Sequence, residues 1–517
     1  MNLTGMVVTS KDGKPDEKTI KMKVQAVVSP LLLWLSAVVP ALAQAPGVPG
    51  GTAAPEQSRV PAVQSVPSLP VPAPLATSIS PQGVFSGSGK VDKLVPGVID
   101  VSILDAIDRG LKRNLGLLLS QQQSAAARAQ YRRSLSALIP NISGRAADSV
   151  NQINLAAFGI PVPAGLPSPV IGPFNVLDAR AVMTEDLLDF NAINKLKQSA
   201  ENEKTARFNI QDARELVVLA VGNEYLLTLA GAARLDTAKA QFTTAQTIFQ
   251  QTQDLKKAGV AAGIDVLRAQ VQMQTQQQRV LSAQDQYERQ RMILARIIGL
   301  PVAQQFRLTD KVPYSPLPEI NLEQSLANAY AHRPEYLAAV SRVRAAELSV
   351  KAAQGEALPT VQVNGDFGVL GRNFTTLENT YSLSGGVHIP IFQGGKVKAD
   401  VAQAETDLHQ AQMALEDLHN RVELEVRSAL LDVRTSTDQV TVAQSSTGLA
   451  AEQLKQAQDR YAAGVSGSLD VVQAQETVAT ANETYIEALY LNNVAKLTLA
   501  HALGVAEKQT KAFLGGK

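Results

Sequence analysis

The chain has 517 residues and a near-neutral balance, 48 Lys and Arg against 47 Asp and Glu, so it offers no global field for a nucleic acid, and no nucleic-acid partner is expected. It contains no cysteine, which excludes disulfides, thiolate metal sites and a lipid-modified N-terminal Cys. Aromatic residues are scarce at 4%, while Ala, Gln, Leu and Val crowd long stretches; that is the bias of long helices packed on one another and poor material for one large globular core.

Lys21 and Lys23 precede a mostly apolar run from Val24 to Leu42, which closes on Ala41-Leu42-Ala43, a small-residue cleavage pattern. Residues 1–43 are therefore expected to be a secretory signal peptide, with translation starting at Met1 or Met22. The competing reading, a membrane anchor, needs a longer uninterrupted span than Pro30 and Pro40 allow. Residues 44–97 are rich in Pro, Gly, Ser and Val and have no helical or strand period, which predicts a flexible linker. Within it Gly87-Ser88-Gly89-Lys90 fails as a phosphate loop, because Val91 stands where Ser or Thr is needed and no strand precedes it.

Residues 103–114, I-L-D-A-I-D-R-G-L-K-R-N, and 322–333, L-E-Q-S-L-A-N-A-Y-A-H-R, carry one helical pattern twice. The spacing is kept to Pro140 and Pro359, each expected to end a helix and open a strand. After Pro359, Val361, Val363, Gly365, Phe367 and Val369 alternate with Gln362, Asn364 and Asp366; in the next strand Tyr381, Leu383, Val387, Ile389 and Ile391 stand opposite Ser382, Ser384 and His388. Such a hairpin has one apolar and one polar side. The first copy repeats it less cleanly over 142–155 and 176–188. Strand blocks at about 142–188 and 360–391 thus predict four strands of roughly ten residues, the span of a tilted membrane strand, with Val361, Val363, Phe367, Leu383, Val387 and Ile389 toward lipid. On alternation alone a small soluble sandwich is the other solution.

The helical period then resumes, with no proline from Phe174 to Leu300 or from Ile391 to the end. Residues 191–257 would form a helix of about 100 Å. In the second copy Val397, Val401, Ala404, Leu408, Ala411, Leu415, Leu418 and Val422 follow steps of four and three, a coiled-coil seam of modest bulk. Residues 270–290 are crowded with Gln, so one side of that helix is expected to stay wet. Each long run is broken by a turn in the frame A-G-V-x-x-x-[I/L]-D-V-x-x-A-Q: Gly259 and Gly464 suit a left-handed helix end, and Asp265 and Asp470 stand where the next helix begins. The chain is an internal duplication, with tips at 257–265 and 462–470. The two Asp residues either cap their helices or, gathered on a symmetry axis, form an acidic ring. Gly259, Val260, Ala261, Gly464, Val465 and Ser466 offer small exposed groups where a partner hairpin would pack closely.

With the matched ends L-A-R-I-I-G-L and L-A-H-A-L-G-V, these features make the chain resemble the TolC-type outer-membrane efflux proteins over about 99–505, as two repeats, 98–300 and 301–517. The resemblance implies a mainly α fold with a membrane β-barrel: a homotrimer whose twelve-stranded barrel in the outer membrane lipid continues into a long α-helical barrel across the periplasm. It implies a passive export duct of a tripartite efflux or type I secretion system, coupled through a periplasmic adaptor to an inner-membrane pump. Tyr461 resembles the family's tip tyrosine and Asp470 an aspartate lining its narrow periplasmic opening, with Asp265 equivalent in the first hairpin. The chain departs from some members at Ser466, where they carry an arginine, and at Gln473, where they carry an aspartate.

The five histidines, His332, His388, His409, His419 and His501, fall in no metal-ligand spacing, and no H-E-x-x-H or G-x-S-x-G occurs. No enzymatic activity, metal or cofactor is expected. The rival reading is a secreted structural coiled-coil protein without a pore.

Overall fold

A computed structural model describes residues 83–159, 161, 168–310, 314, 315, 317, 318 and 320–514. The expected signal peptide and most of the expected linker lie outside these residues. The duplication is near-exact in its helix lengths. Helices α1 (Ile103–Arg113) and α2 (Leu115–Ser136) have 11 and 22 residues, as do α5 (Leu322–His332) and α6 (Pro334–Gly355). Helices α3 (Phe190–Lys257) and α4 (Gly263–Ile297) have 68 and 35, against 67 and 35 for α7 (Lys396–Ala462) and α8 (Ser468–Ala502). At 1.5 Å per residue α3 and α7 are each about 100 Å long.

Between the short and long helices of each copy lies a hairpin: β2 (Asn141–Asn154) with β3 (Val170–Leu188), and β5 (Thr360–Gly371) with β6 (Glu378–His388). The strands begin directly after Pro140 and Pro359, but the helices stop earlier, at Ser136 and Gly355; the prolines open strands rather than end helices. β3 starts six residues before the alternation suggested. The strands form one antiparallel sheet in the order β2-β3-β5-β6, which leaves β2 and β6 at the edges. Helices α2, α3, α6 and α7 pack side by side in the same order, so each strand continues into a helix of the layer below it.

The seam read on α7 is present. Ala404, Leu418 and Val422 are buried, and the same face runs on through Val426, Ala429, Ser436, Val440, Ala443 and Ala450, at steps of three, four or seven. Contrary to the composition, the chain also builds a contiguous core, part way down the long helices. Val217, Val218, Val221 and Tyr225 of α3 meet Leu294 and Ile298, Val422 and Val426 of α7, and Leu497 and Leu499 of α8. This is the stretch of α3 with a mean hydropathy of 1.6, and 61% of that window is buried.

Elements that the sequence reading missed close this core. β1 (Ile99–Val101) pairs in parallel with β4 (Phe306–Leu308), tying the start of one repeat to the start of the other. Helix α9 (Ala506–Leu514) docks on α3, where the Glu215 carboxylate accepts from the Ala506 amide at 2.7 Å and from the Glu507 amide at 3.3 Å.

The linker expected over 44–97 needs correction at its end. Residues 83–97 are held on the core: Phe85 packs against it, and the Asn114 side-chain amide donates to the Phe85 carbonyl at 2.6 Å. Asp92 pairs with Arg109 at 3.1 Å and with Arg113. Composition hid this because one aromatic and one carboxylate suffice to anchor a Gly-rich strap.

Candidate functional site at the paired hairpin tips and the two-faced sheet

Both tips are built by the same local rule. After Lys257 and Ala462 the chain passes a right-handed residue and then Gly259 at φ +78° or Gly464 at φ +71°, a region that costs any residue with a Cβ. The Gly259 and Val260 amides donate back to the carbonyls of Lys256 and Leu255, and the Gly464 and Val465 amides to those of Tyr461 and Arg460, between 2.9 and 3.1 Å. These are Schellman turns, and they satisfy the last carbonyls of each long helix. Val260 and Val465 are left 69% and 68% exposed at matching positions, with Gly259 and Gly464 exposed and Ala261 and Ser466 half-buried.

The acidic residues depart from the capping expectation. The capping positions are Ala262 and Gly467, neither of which makes a side-chain cap bond, and Asp265 and Asp470 sit three residues further on, in the first helical turn. A carboxylate there favours the positive end of the helix without capping it. The two also differ. Asp265 accepts from the Ser468 hydroxyl of the second hairpin at 2.5 Å and lies 3.6 Å from the Arg268 guanidinium. Asp470 is exposed and makes no side-chain ion pair among the described residues. The Tyr461 and Ser466 hydroxyls are buried and have no hydrogen-bond partner among the described residues, so no bond closes between this tyrosine and the serine that replaces the arginine.

Deeper between the hairpins, α4 and α8 meet over Glu476. It accepts from Gln272 at 2.7 Å, Gln276 at 3.1 Å and Arg279 at 2.7 Å. Burial pushes this carboxyl up, but the bonds from Arg279, Gln272 and Gln276 outweigh it and hold it below its usual range. Gln272 and Gln276 are buried, so the Gln-rich helix is not wet throughout: part of its Gln face is the polar joint between the two hairpins. Glu476 on α8 gave no sequence signal for the Gln-rich α4 beside it, because the pairing spans about two hundred residues.

At the other end the register fixes the two faces of the sheet. Val361, Val363 and Phe367 stand directly opposite Val387, Gly385 and Tyr381, and Gly365 opposite Leu383. Directly opposed residues share a face, so five of the six predicted residues lie on one side, where Phe367, Leu383 and Val387 are 64%, 74% and 62% exposed; Ile389 lies just past the end of β6 and is 60% exposed. β3 continues that face with Ala181 and Met183 and β2 with Ile142, though it also carries Glu185 and Asp148. The opposite face is polar: Arg180 donates to Asp178 at 2.6 Å and to Asp366 at 3.1 Å, and Ser382 donates to Asp366 at 2.9 Å. Among the described residues no group of three His, Asp or Glu side chains is arranged to hold a metal.

Residues 106–300 and 326–505 match the model of the outer membrane efflux protein family. The chain is 25% identical over 453 residues to outer membrane protein OprJ of Pseudomonas aeruginosa, covering 84% of this chain and 90% of OprJ. Among solved structures it is similar to the Campylobacter jejuni CmeC outer membrane channel, with a TM-score of 0.66, 18% identity and coverage of 79% and 88% of the two chains. It is similar also to the open state of the Neisseria gonorrhoeae MtrE outer membrane channel, with a TM-score of 0.67, 18% identity and coverage of 82% and 95%.

Proposed function

As the chain belongs to the outer membrane efflux protein family, we propose that it is the export duct of a tripartite efflux or type I secretion system, a passive conduit through the outer membrane and the periplasm. The observation that carries this is the two-faced sheet with both edges free. An edge strand in lipid leaves backbone groups unpaired at several kcal/mol each, so β2 and β6 need copies of the same chain to close on. Three copies of four strands give a twelve-stranded barrel, apolar outside and polar inside, and the helices that follow each strand extend it as a helical barrel. The rival coiled-coil rod leaves the apolar face of the sheet unexplained.

In this reading the hairpin tips are the periplasmic end. Gly259, Val260, Ala261, Gly464, Val465 and Ser466 form the surface on which a periplasmic adaptor docks, and the adaptor couples the duct to an inner-membrane pump that supplies the energy. Asp470 lines the opening, Tyr461 packs behind it, and Asp265 holds the first hairpin to the second. The test is fractionation followed by reconstitution. The protein should remain with carbonate-washed outer membranes, run as a detergent-stable trimer and conduct ions in a planar bilayer; a washed-off monomer without conductance would sink the proposal.

A further inference from the structure

One residue on the polar face of the sheet is left over by the network that neutralises the rest. Arg145 of β2 stands directly opposite Arg180 of β3, which stands opposite Gly368 of β5, which stands opposite Thr380 of β6. These four form one row across the face that also carries Asp178 and Asp366. Like charges directly across a strand pair repel, and here the repulsion is relieved on one side only. The Arg180 guanidinium is held by Asp178 and Asp366, and the second oxygen of Asp366 is engaged by Ser382. Both oxygens of Asp366 and one of Asp178 are thereby engaged, and 22% of the Asp178 side chain and 21% of the Asp366 side chain are exposed. Arg145 is exposed and has no ion-pair partner among the described residues.

Nothing else in the row covers it. A Cβ added at Gly368 would lie 2.3 Å from the Ala179 carbonyl oxygen and 2.4 Å from the Arg180 Cα, so this position stays bare and the row presents guanidinium groups over backbone. The remaining acids of the polar face lie off the row, Asp186 opposite Gln362 toward the helices and Glu378 opposite Leu370 toward the far end.

We propose that Arg145 is one third of an anion-binding girdle in the lumen of the barrel, which takes carboxylate- or phosphate-bearing solutes in transit. The proposal rests on the duct reading, which repeats Arg145 three times around one lumen. Rings of arginine give pores their preference for anions, and a guanidinium recognises carboxylate and phosphate through paired hydrogen bonds that an ammonium cannot reproduce.

The test uses the purified full-length protein in planar bilayers, with benzenehexacarboxylate added on the extracellular side as the probe. The wild type should be blocked. Arg145→Gln removes all three guanidinium groups and should raise the half-blocking concentration at least about tenfold, the change that loss of even one charge-assisted contact produces, and should move the reversal potential in a KCl gradient toward cation preference. Arg145→Lys, which keeps the charge, should keep the reversal potential and lose part of the block, so the girdle remains testable if the Gln variant assembles poorly. A conducting wild type with no block, or equal block in Arg145→Gln, overturns the girdle and spares the duct; a wild type that does not conduct overturns both. The competing partner for Arg145 is Glu378 of an adjacent copy across the β2–β6 seam. In that case Arg145→Glu would weaken the trimer, Glu378→Arg would restore it, and block would follow neither, which also overturns the proposal.

Discussion

The two repeats have almost the same backbone and use it differently. Both long helices end on left-handed glycines in matching turns, and both return helices carry an aspartate in the first turn. Yet Asp265 is tied to Ser468 and Arg268 while Asp470 makes no ion pair among the described residues, and α3 runs through the core while much of α7 is exposed, at Met413, Leu424, Leu431, Val442 and Leu449. The sheet shows the same inequality, since the second hairpin has a clean apolar face and the first interrupts it with Asp148 and Glu185. Duplication conserved the geometry of the chain, and the two copies use it differently: the first is the anchored frame and the second leaves more of its apolar surface exposed.

The largest expected effect separates the two hairpins of the sheet. Val363→Arg should cost about 2–4 kcal/mol near mid-membrane. Asp148→Arg, at a position that already carries a charge on the same face, should cost less than half as much. Urea unfolding in lipid vesicles reads both, and equal costs would remove the claim that the second hairpin is the better sealed.

At the tips the expectation is equality of strain and inequality of consequence. Gly259→Val and Gly464→Val each force a β-branched residue into the left-handed region, at about 1–2 kcal/mol. On the docking reading proposed above, substrate export should be lost with Gly464→Val while the heat-stable trimer survives, because Asp470 in the second tip makes no ion pair among the described residues whereas Asp265 in the first does. Export that proceeds normally in this variant would reject the docking assignment.

The sequence made the turns, the glycines, the strand faces and the α7 seam legible because each is a local rule, read from spacing alone. It did not show what those elements touch. Ser468 reads as an ordinary helix-start residue until the fold sets it against Asp265, and the Gln run reads as solvated until Glu476 is placed beside Gln272 and Gln276. β1 and β4, three residues each, carry too little alternation to register and exist through each other. The capping reading of the two aspartates failed for a related reason: the chain starts both helices three residues early, on Ala262 and Gly467.

The clasp gives the next, smaller effect. A double-mutant cycle of Asp265→Asn and Ser468→Ala should give a coupling of about 1 kcal/mol, less than the 1.5–3 typical of bonds to charged groups because Asp265 is partly exposed. Asp470→Asn removes an exposed first-turn charge worth only about 0.3–1 kcal/mol, so it should change thermal stability little and act mainly on conduction. Three such carboxylates about 7 Å apart at an effective dielectric near 20 repel by roughly 2–3 kcal/mol per pair, so they should gather cations at the opening. Removing them should weaken block by divalent cations. A measured loss of stability in Asp470→Asn without any change in block would reverse the roles of the two residues.

The smallest effect tests the buried carboxyls of α3. Burial raises Asp212 to about 6 and Glu215 and Glu224 to about 7, and all three lie on α3. Glu335 adds to the rise at Asp212 while Arg333 and Arg342 oppose it, and at Glu215 the Glu507 and Ala506 amides oppose it while the Glu507 and Asp212 charges add. A carboxyl whose folded value is raised contributes stability that is complete below its unfolded value near 4 and is lost as pH rises through 6 to 7. His501 works in the opposite sense: burial, then Arg333, depresses it to about 4, so its contribution is complete above about 6.5 and is lost as pH falls toward 4. Between pH 8 and 6 the three carboxyls outweigh Lys496, which burial depresses to about 8 and whose contribution is lost as it charges, and His501, whose unfolded form begins to charge near 6.5. The melting temperature should therefore rise by about 1–3 °C on acidification from pH 8 to 6, and flatten below that as His501 opposes the gain more strongly. Glu215→Gln keeps an acceptor for the Ala506 amide and removes one titrating group, so it should shrink the rise without unseating α9. A melting temperature that is flat from pH 8 to 6, or a slope untouched by Glu215→Gln, would mean that water reaches these carboxylates and that α3 is no more buried a helix than α7.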